Sequence, residues 1–580
     1  MDYGQAEYFT GIRMCAAMLF FFTVSTNAQT RFIYGIHDFE PRPDEFTSRL
    51  EAADVRGVVT ATEAVGHNPT DTSGKDYRSV SSRGHTVISR LNNGYFPLGT
   101  IPVRTEWNNF AARCASFASA SQGCTLWVIG NETNLSGEWP AEPNGYRKYI
   151  SPEDYADCFR RVYNSIKAVC PTHLVIPQAL APFAGPYGSG SDHDAMPIDH
   201  VTYMRRMLEA IQASGGVDGI ALHIPSRGYS RAEVFSTQKV NGNYWSFFCY
   251  KDWIERGIPQ KLWSLPVYAT ESNGYYFWKG GHPEAPARTY EPGWVKMVLL
   301  EIDRWNHNEA LVDGKPIVRS LNFYRWCSDC DGWNIDGTPQ ESQILADLDE
   351  AAAYKLEWPD RMPPGRVPFT VDIEMRPPPL QKEEAPYLGV WRSWVFNIAG
   401  TNAVSVTFEL SGAAANGSDD DDARLLVDSD DPAVGTTWNT TASLDGSRDQ
   451  GATATAAFTR SLSPGQHVLR LQIDGTPFIQ RIRVFSAMPP ADRFVRGDAN
   501  SDAVVDLSDA VATLFHLFAD RALDCLDAAD SDDSGVINVT DVLSLLGYLF
   551  KDGPPPAAPA GCDRDATSDD LDPCAKDRCP

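Results

Sequence analysis

Short apolar runs alternate with amphipathic stretches through the first 360 residues. Runs at 31–39, 55–62, 85–94, 126–132, 173–179, 217–224, 267–273 and 320–326 have strand length and β-branched or aromatic character. The intervening stretches, at about 44–53, 75–83, 105–121, 152–169, 198–214, 244–256, 292–308 and 339–356, carry helical spacing. Some open on a capping residue and a proline, as in SPEDYADCF (151–159). Eight strands, each followed by a helix, predict a (β/α)8 TIM barrel. No glycine-rich nucleotide fingerprint follows the first strand, which argues against an open doubly wound sheet. In a barrel the C-terminal ends of all strands meet on one face. Here those ends carry His37 to Glu40, Glu63, Arg90, Asn92 and Asn93, Asn131 and Glu132, Gln178, His223, Glu271 with Asn273, and Trp326. Polar and aromatic groups at so many strand ends mark an active-site face.

The alternation stops near residue 358, so residues 29–358 are read as one catalytic domain. Prolines concentrate in 359–385, which predicts a stiff extended linker. Residues 386–487 show short strands with polar turns, an antiparallel β-sandwich pattern, with Trp391, Trp394 and Trp438 as candidate sugar-stacking rings. The last segment, 494–580, contains two twelve-residue loops, DANSDAVVDLSD (498–509) and DSDDSGVINVTD (530–541), each leading into an apolar helix pattern. Oxygen side chains fall at loop positions 1, 3, 5, 9 and 12: Asp498, Asn500, Asp502, Asp506 and Asp509, then Asp530, Asp532, Ser534, Asn538 and Asp541. Val504 and Val536 offer the backbone carbonyl between them, and the expected cofactor is structural Ca2+, with none for catalysis. Ala503 where glycine is preferred, and Ser534 in place of a carboxylate, weaken the expected affinity.

A chain of 580 residues accommodates these several domains, and its net charge of −26 excludes nucleic acid as a partner. The long apolar run MCAAMLFFFTV (14–24) is too short to anchor a membrane span. With Arg13 before it and small residues at Thr26 and Ala28, it reads as a signal peptide over 1–28, hence a secreted or cell-surface protein without a transmembrane anchor. Export makes disulfides plausible, and Cys327 and Cys330 form a lone C-x-x-C that suits a disulfide or two thiols better than zinc.

Glu132 closes LWVIGNE (126–132) and Glu271 closes LPVYATE (265–271). Two carboxylates at the same ends of two strands are what glycosidic-bond cleavage needs, one to protonate the leaving oxygen and one to attack or activate water. With Asn131-Glu132 ending the fourth strand, Glu271 the seventh, His223 after the sixth and Trp326 after the eighth, the first 360 residues resemble the retaining glycoside hydrolases of the barrel clan that includes cellulases, mannanases and xylanases. The resemblance implies Glu132 as acid/base, Glu271 as nucleophile, Asn131 on the sugar 2-hydroxyl, His223 tuning the carboxylates and Trp326 beneath the cleaved sugar. It also implies a raised pKa for Glu132. The clan places an arginine on the second strand, which here ends in TATEAVG; Arg90 on the third strand is the nearest substitute, and Glu63 becomes a competing carboxylate. Further substrate contacts are expected from Asn92, His37, Trp139 and Tyr275, within loops rich in rings that suit a polysaccharide cleft, while the resemblance implies endo action on β-linkages. The sandwich is similar to jelly-roll carbohydrate-binding modules. The two loops with their cysteine-bearing tail resemble planctomycete-type dockerin repeats, which implies a cohesin-like scaffold as partner. The competing expectation is a non-catalytic glycan-binding surface protein docked through its calcium module.

Overall fold

The computed structural model describes residues 29–40, 42–142, 145–186, 197–226, 230–274, 290–328, 330, 333–360, 365–375, 390–413, 422–428, 436–439, 454–474, 478–486, 494–519, 521–523, 525–559, 561 and 571. The proposed signal segment and Tyr275 lie outside them. Among the described residues no helix is long and apolar enough to cross a membrane. The chain divides into two compact units, 1–303 with 316–358, and 304–315 with 359–580.

The first unit is built on eight parallel strands: β1 (Tyr34–His37), β2 (Val58–Ala64), β3 (Thr86–Asn92), β4 (Leu126–Ile129), β5 (Leu174–Pro177), β6 (Ile220–His223), β7 (Val267–Ser272) and β8 (Val318–Phe323). Hydrogen-bonded neighbours follow the order β5-β4-β3-β2-β1-β8-β7-β6. The β5/β6 seam lacks a ladder but is stitched by Asp218, whose N–H donates to Val175 O (3.3 Å) while its Oδ2 accepts from Val175 N–H (2.9 Å). The strands are apolar because both faces are covered. Val58, Ile88, Leu126, Val128, Ile176, Ala221 and Tyr268 form one buried cluster. Gly35 on β1 is fixed by close approach, since a Cβ there would stand 2.2 Å from the Asn322 side chain on β8.

The helices start where the sequence offers caps. Ser151 accepts from Asp154 N–H (3.0 Å) ahead of Pro152–Val169, and Asp199 accepts from the N–H groups of Val201 and Thr202 ahead of His200–Ser214. The helix expected over 244–256 is shorter and ends in a π-helical turn, Trp253–Gly257. The helix expected over 75–83 contracts to Arg78–Ser81.

The second unit holds a two-sheet sandwich, antiparallel except where Gly365–Arg366 pairs parallel with Val390–Ile398. Strands Phe369–Met375, Phe478–Ser486, Val404–Ala413 and Ala454–Leu462 lie in that order in one sheet. The other sheet carries Gly365–Arg366, Val390–Ile398, Gly465–Asp474, Asp422–Val427 and Thr436–Asn439. The expected linker 359–385 is thereby corrected, because Phe369–Met375 pairs with Phe478–Ser486 as an edge strand. Its apolar positions Phe369, Val371 and Ile373 alternate, a strand signal that the flanking prolines hide, and proline before an edge strand costs no ladder bond. The boundary of the barrel domain shifts too. Segment 304–315 belongs to the second unit, where Asn308 Nδ2 donates to Trp391 O (3.4 Å) and Ser393 Oγ donates to Asn308 Oδ1 (2.5 Å). Trp391 is buried in the sandwich core with Phe396, Phe408 and Leu469, so it is no open sugar platform, while Trp394 packs half-buried against that core.

The last segment folds into helices Leu507–Ala519, Leu526–Ala529 and Val539–Lys551. The two acidic loops repeat one hydrogen-bond pattern. Asp498 Oδ2 accepts from Ala503 N–H as Asp530 Oδ2 does from Gly535 N–H, and Asp509 Oδ2 accepts from Asp506 N–H as Asp541 Oδ2 does from Asn538 N–H. Arg496 ties the loops together by donating to the carbonyls of Asp527 (3.0 Å), Asp530 (2.8 Å) and Ala558 (2.8 Å). Cys525 is disulfide-bonded, as are Cys327 and Cys330 to each other.

Candidate active site

Glu132 follows β4 with a φ of +42°, a left-handed backbone that costs a non-glycine residue about 1–2 kcal/mol. The adjoining loop after β5 holds it there. Glu132 N–H donates to Ala179 O (3.0 Å), Thr133 N–H donates to Gln178 Oε1 (3.1 Å), and Asn134 exchanges two bonds with Ala181 (2.8 and 2.9 Å). Gln178, polar at a strand end, therefore serves the loop rather than substrate. Glu271 lies on β7, where a register irregularity in the β6–β7 pairing sets His223 directly opposite it.

His223 stands between the two acids. Its Nδ1 is 2.7 Å from Glu132 Oε1 and its Nε2 is 3.5 Å from Glu271 Oε1. One oxygen from each acid and one nitrogen of His223 all fall within 4.8 Å of one another. Arg90 reaches across from β3, its Nη1 donating to Glu271 Oε1 (2.5 Å) and Asn131 Oδ1 (2.7 Å) and its Nε to Thr62 Oγ1 (3.1 Å). His37 Nε2 lies 3.8 Å from Glu271 Oε1 and 3.2 Å from Thr62 Oγ1, while its Nδ1 faces Asp38 Oδ1 at 3.2 Å. Asp38 in turn receives Arg325 Nε (2.5 Å) and Nη2 (2.9 Å). Burial pushes the Glu271 carboxyl up, but the charges of His223, Arg90 and His37 outweigh it and hold the group down at about 2. Burial lowers the pKa of His37, with Asp38 opposing.

Arg90 on β3 thus reaches Glu271, and β2 supplies Thr62 beside it. Glu63 does not compete. Successive strand residues face opposite ways, and with Thr62 turned to Arg90, Glu63 is taken by Lys75 Nζ (2.8 Å) and Tyr77 OH (3.2 Å). Three other expected contacts are corrected. Trp326 is 4% exposed and meets Phe46 edge-on, so it is wall, not platform. Trp139 is 7% exposed, its Nε1 donating to Thr133 O (2.7 Å). Asn92 is buried and accepts from Thr100 Oγ1 (3.1 Å). The Trp139 Nε1 and the Asn92 Oδ1 are thus engaged within the protein.

Two neighbours of the acids escaped the sequence reading. Tyr324, just past β8, stacks edge-on against His37 with ring centroids 4.9 Å apart. Glu138 accepts from Asn131 Nδ2 (3.3 Å). Its signal was faint, an acid six residues beyond Glu132 in a turn with no periodicity.

In the last segment the second acidic loop brings together carboxylates that could hold a cation. Oxygens of Asp530, Asp532 and Asp541 fall within 4.8 Å of one another. Burial raises Asp509 and Asp541 to about 6, with neighbouring carboxylates adding to it. Asn500, Asp502, Asp506, Ser534 and Asn538 sit on the same two loops, and Val536 O accepts from Asn538 Nδ2 (3.0 Å).

No family model matches the chain, and no curated protein matches it. Among solved structures it is similar to a glucosidase from Croceicoccus marinus (TM-score 0.36, 11% identity, covering 76% of this chain and 95% of that one). It is similar also to a family 51 alpha-L-arabinofuranosidase from Bifidobacterium longum (0.36, 12%, 76% and 96%) and to a calcium-binding mutant of beta-glucuronidase 2 from Bacteroides uniformis (0.32, 8%, 80% and 65%). At these scores the names carry no substrate over to this chain.

Proposed function

We propose that the chain is a secreted retaining glycoside hydrolase acting on a polysaccharide. The observation that carries the reading is the approach of Glu132 and Glu271 to within 4.8 Å across His223. Retention asks for carboxyl groups about 5–5.5 Å apart, whereas inversion needs about 6.5–9.5 Å to admit a water. Glu271, kept anionic by Arg90 and the two histidines, attacks the anomeric carbon. Glu132 gives its proton to the departing oxygen, then takes one from the water that releases the sugar. Asn131 meets the 2-hydroxyl as charge develops at the ring. Exposed rings at Tyr95, Phe96 and Tyr146, on the loops beyond β3 and β4, favour a glycan longer than a disaccharide.

Ca2+ fits the two acidic loops, where Asp498, Asn500, Asp502, Asp506 and Asp509, and Asp530, Asp532, Ser534, Asn538 and Asp541, would hold it; bound there it cross-links each loop to its helix. On this reading the segment is a dockerin-like anchor for a cohesin-like scaffold, supported by the two-fold repetition of the loops.

The test is a polysaccharide panel scored for new reducing ends, with Glu132→Gln and Glu271→Gln. Each substitution abolishes release, and azide restores turnover of an aryl glycoside by Glu132→Ala. Unchanged hydrolysis by either Gln variant overturns the assignment. The second reading, a glycan-binding surface protein, predicts that the wild type retains polysaccharide and releases no reducing ends.

A further inference from the structure

The Asn131 amide is held from two sides. Arg90 Nη1 donates to its Oδ1 at 2.7 Å, and its Nδ2 donates to Glu138 Oε1 at 3.3 Å. Oxygen and nitrogen of an asparagine look alike in shape, so a flip of the side chain costs little unless both neighbours are polar and of opposite kind. Here one neighbour can only donate and the other accepts. Of the two N–H bonds on Nδ2, Glu138 takes one and leaves the second.

Glu138 is placed to be firm. It ends a short 3-10 turn, Ser136–Glu138, whose backbone is pinned by Thr100 N–H donating to Glu138 O (2.9 Å) and by Glu138 N–H donating to Leu135 O (3.1 Å). Arg147 on the following loop reaches the same turn, donating to Ser136 Oγ (3.4 Å). The mechanism above uses Glu132, Glu271 and Asn131 and leaves this third carboxyl without a task.

We propose that Glu138 is a positioning residue of the hydrolytic site, gripping the Asn131 amide opposite Arg90 so that its remaining N–H is held for the 2-hydroxyl of the sugar. The inference rests on the glycoside hydrolase reading and adds a residue to it. Charge supports it. Glu132, Glu271 and Arg90 face Glu138 from β4, β7 and β3; burial first, then the Glu132 charge, push its carboxyl up to about 7. Below that pH the group is neutral, so it accepts from Asn131 without adding a second negative charge beside the Glu271 anion. As pH rises through about 7 it ionises. That charge strengthens its hold on the Asn131 N–H and draws the amide toward itself.

The experiment uses the full chain and whichever 4-nitrophenyl glycoside the wild type turns over. Glu138→Ala lowers kcat by about tenfold to a hundredfold with KM little changed, because the contact to the 2-hydroxyl matters most in the transition state. Adding Asn131→Ala to Glu138→Ala costs little more, since both remove one interaction. Glu138→Gln, a neutral acceptor of the same shape, recovers activity to within about threefold and loses the inflection that the wild type shows near neutral pH. Additive losses, or a Gln variant as poor as Ala, overturn the proposal. If the wild type hydrolyses nothing, the functional reading fails by itself, and crystal structures of the wild type, Glu138→Ala and Glu138→Gln still decide the positioning role. Asn131 turns away from Arg90 in Glu138→Ala and stays in Glu138→Gln if the grip is real; an unmoved Asn131 in both refutes it.

Discussion

Replacing Arg90 by methionine tests the electrostatics of the site at its strongest contact. The guanidinium lies 2.5 Å from Glu271 Oε1 with its side chain 7% exposed, and the Glu271 side chain is 16% exposed. Holding the Glu271 carboxyl at about 2 instead of 4.5 corresponds to about 3 kcal/mol in favour of the anion. His223, Arg90 and His37 supply that against burial. Without Arg90, burial is opposed by two histidines alone, and the Glu271 titration climbs by on the order of 1–2 pH units. The sign is fixed: a depressed carboxyl loses its anionic advantage as pH falls through its folded value, so raising that value brings the loss to milder acid. The assay is the acid limb of kcat/KM against pH, which reports the free enzyme. Asn131 Oδ1 also loses its partner, worth about 1–3 kcal/mol. Arg90→Lys separates the two effects, because it keeps the charge and loses the planar guanidinium whose Nε bond to Thr62 aims Nη1 at Asn131 and Glu271. Its acid limb stays near the wild type while kcat falls. An Arg90→Met acid limb that coincides with the wild type refutes the reasoning.

Trp326→Ala lowers stability by about 3–5 kcal/mol, as loss of a buried aromatic does, and shifts the denaturant midpoint rather than KM; a selective rise in KM with unchanged stability restores it as a sugar platform. Ca2+ raises, and a chelator lowers, the unfolding temperature of the full chain, while Ala503→Gly tightens calcium titrations because Ala503 holds a φ of +71° where Gly535 of the second loop has +75°. Equal calcium affinity in the Ala503→Gly protein counts against the loop reading. His467 Nδ1 pairs with Asp428 Oδ2 at 2.6 Å; burial lowers the histidine pKa, but Asp428 and the Ser463 carbonyl win and raise it above 6.5. The stabilisation is fully present below pH 6.5 and fades as pH rises through the folded value, so the gap in unfolding temperature between wild type and Asp428→Asn narrows toward alkaline pH. A gap independent of pH excludes the charged pair.

The barrel strands were legible to within a few residues because each has covered faces and a polar end, a pattern that needs no partner to read. The helix starts at Ser151 and Asp199 were equally local, set by one side chain and the next N–H groups. Glu132 and Glu271 could be singled out for the same reason: acids that end apolar runs are visible in one dimension. Glu63 looked the same and failed, because the alternation that turns Thr62 toward Arg90 turns Glu63 away, and only the register shows which of two neighbours faces inward. Trp326 and Trp139 failed for a related reason. A ring in a loop stacks on sugar or fills a wall according to what lies over it, and here Phe46 and the Thr133 carbonyl do.

What the sequence determined by itself is therefore the order of the elements, the two acids at the ends of the fourth and seventh strands and the paired acidic loops, each encoded by residues close along the chain. Only the tertiary structure decided that Arg90 crosses to Glu271, that His223 bridges both acids, that Glu138 holds Asn131 and that Phe369–Met375 joins the sandwich. Those contacts join residues from seven to 181 positions apart. They arise from closure of the barrel and pairing of the sheets, which bring distant charges into one low-dielectric space where a few ångströms decide which group is ionised.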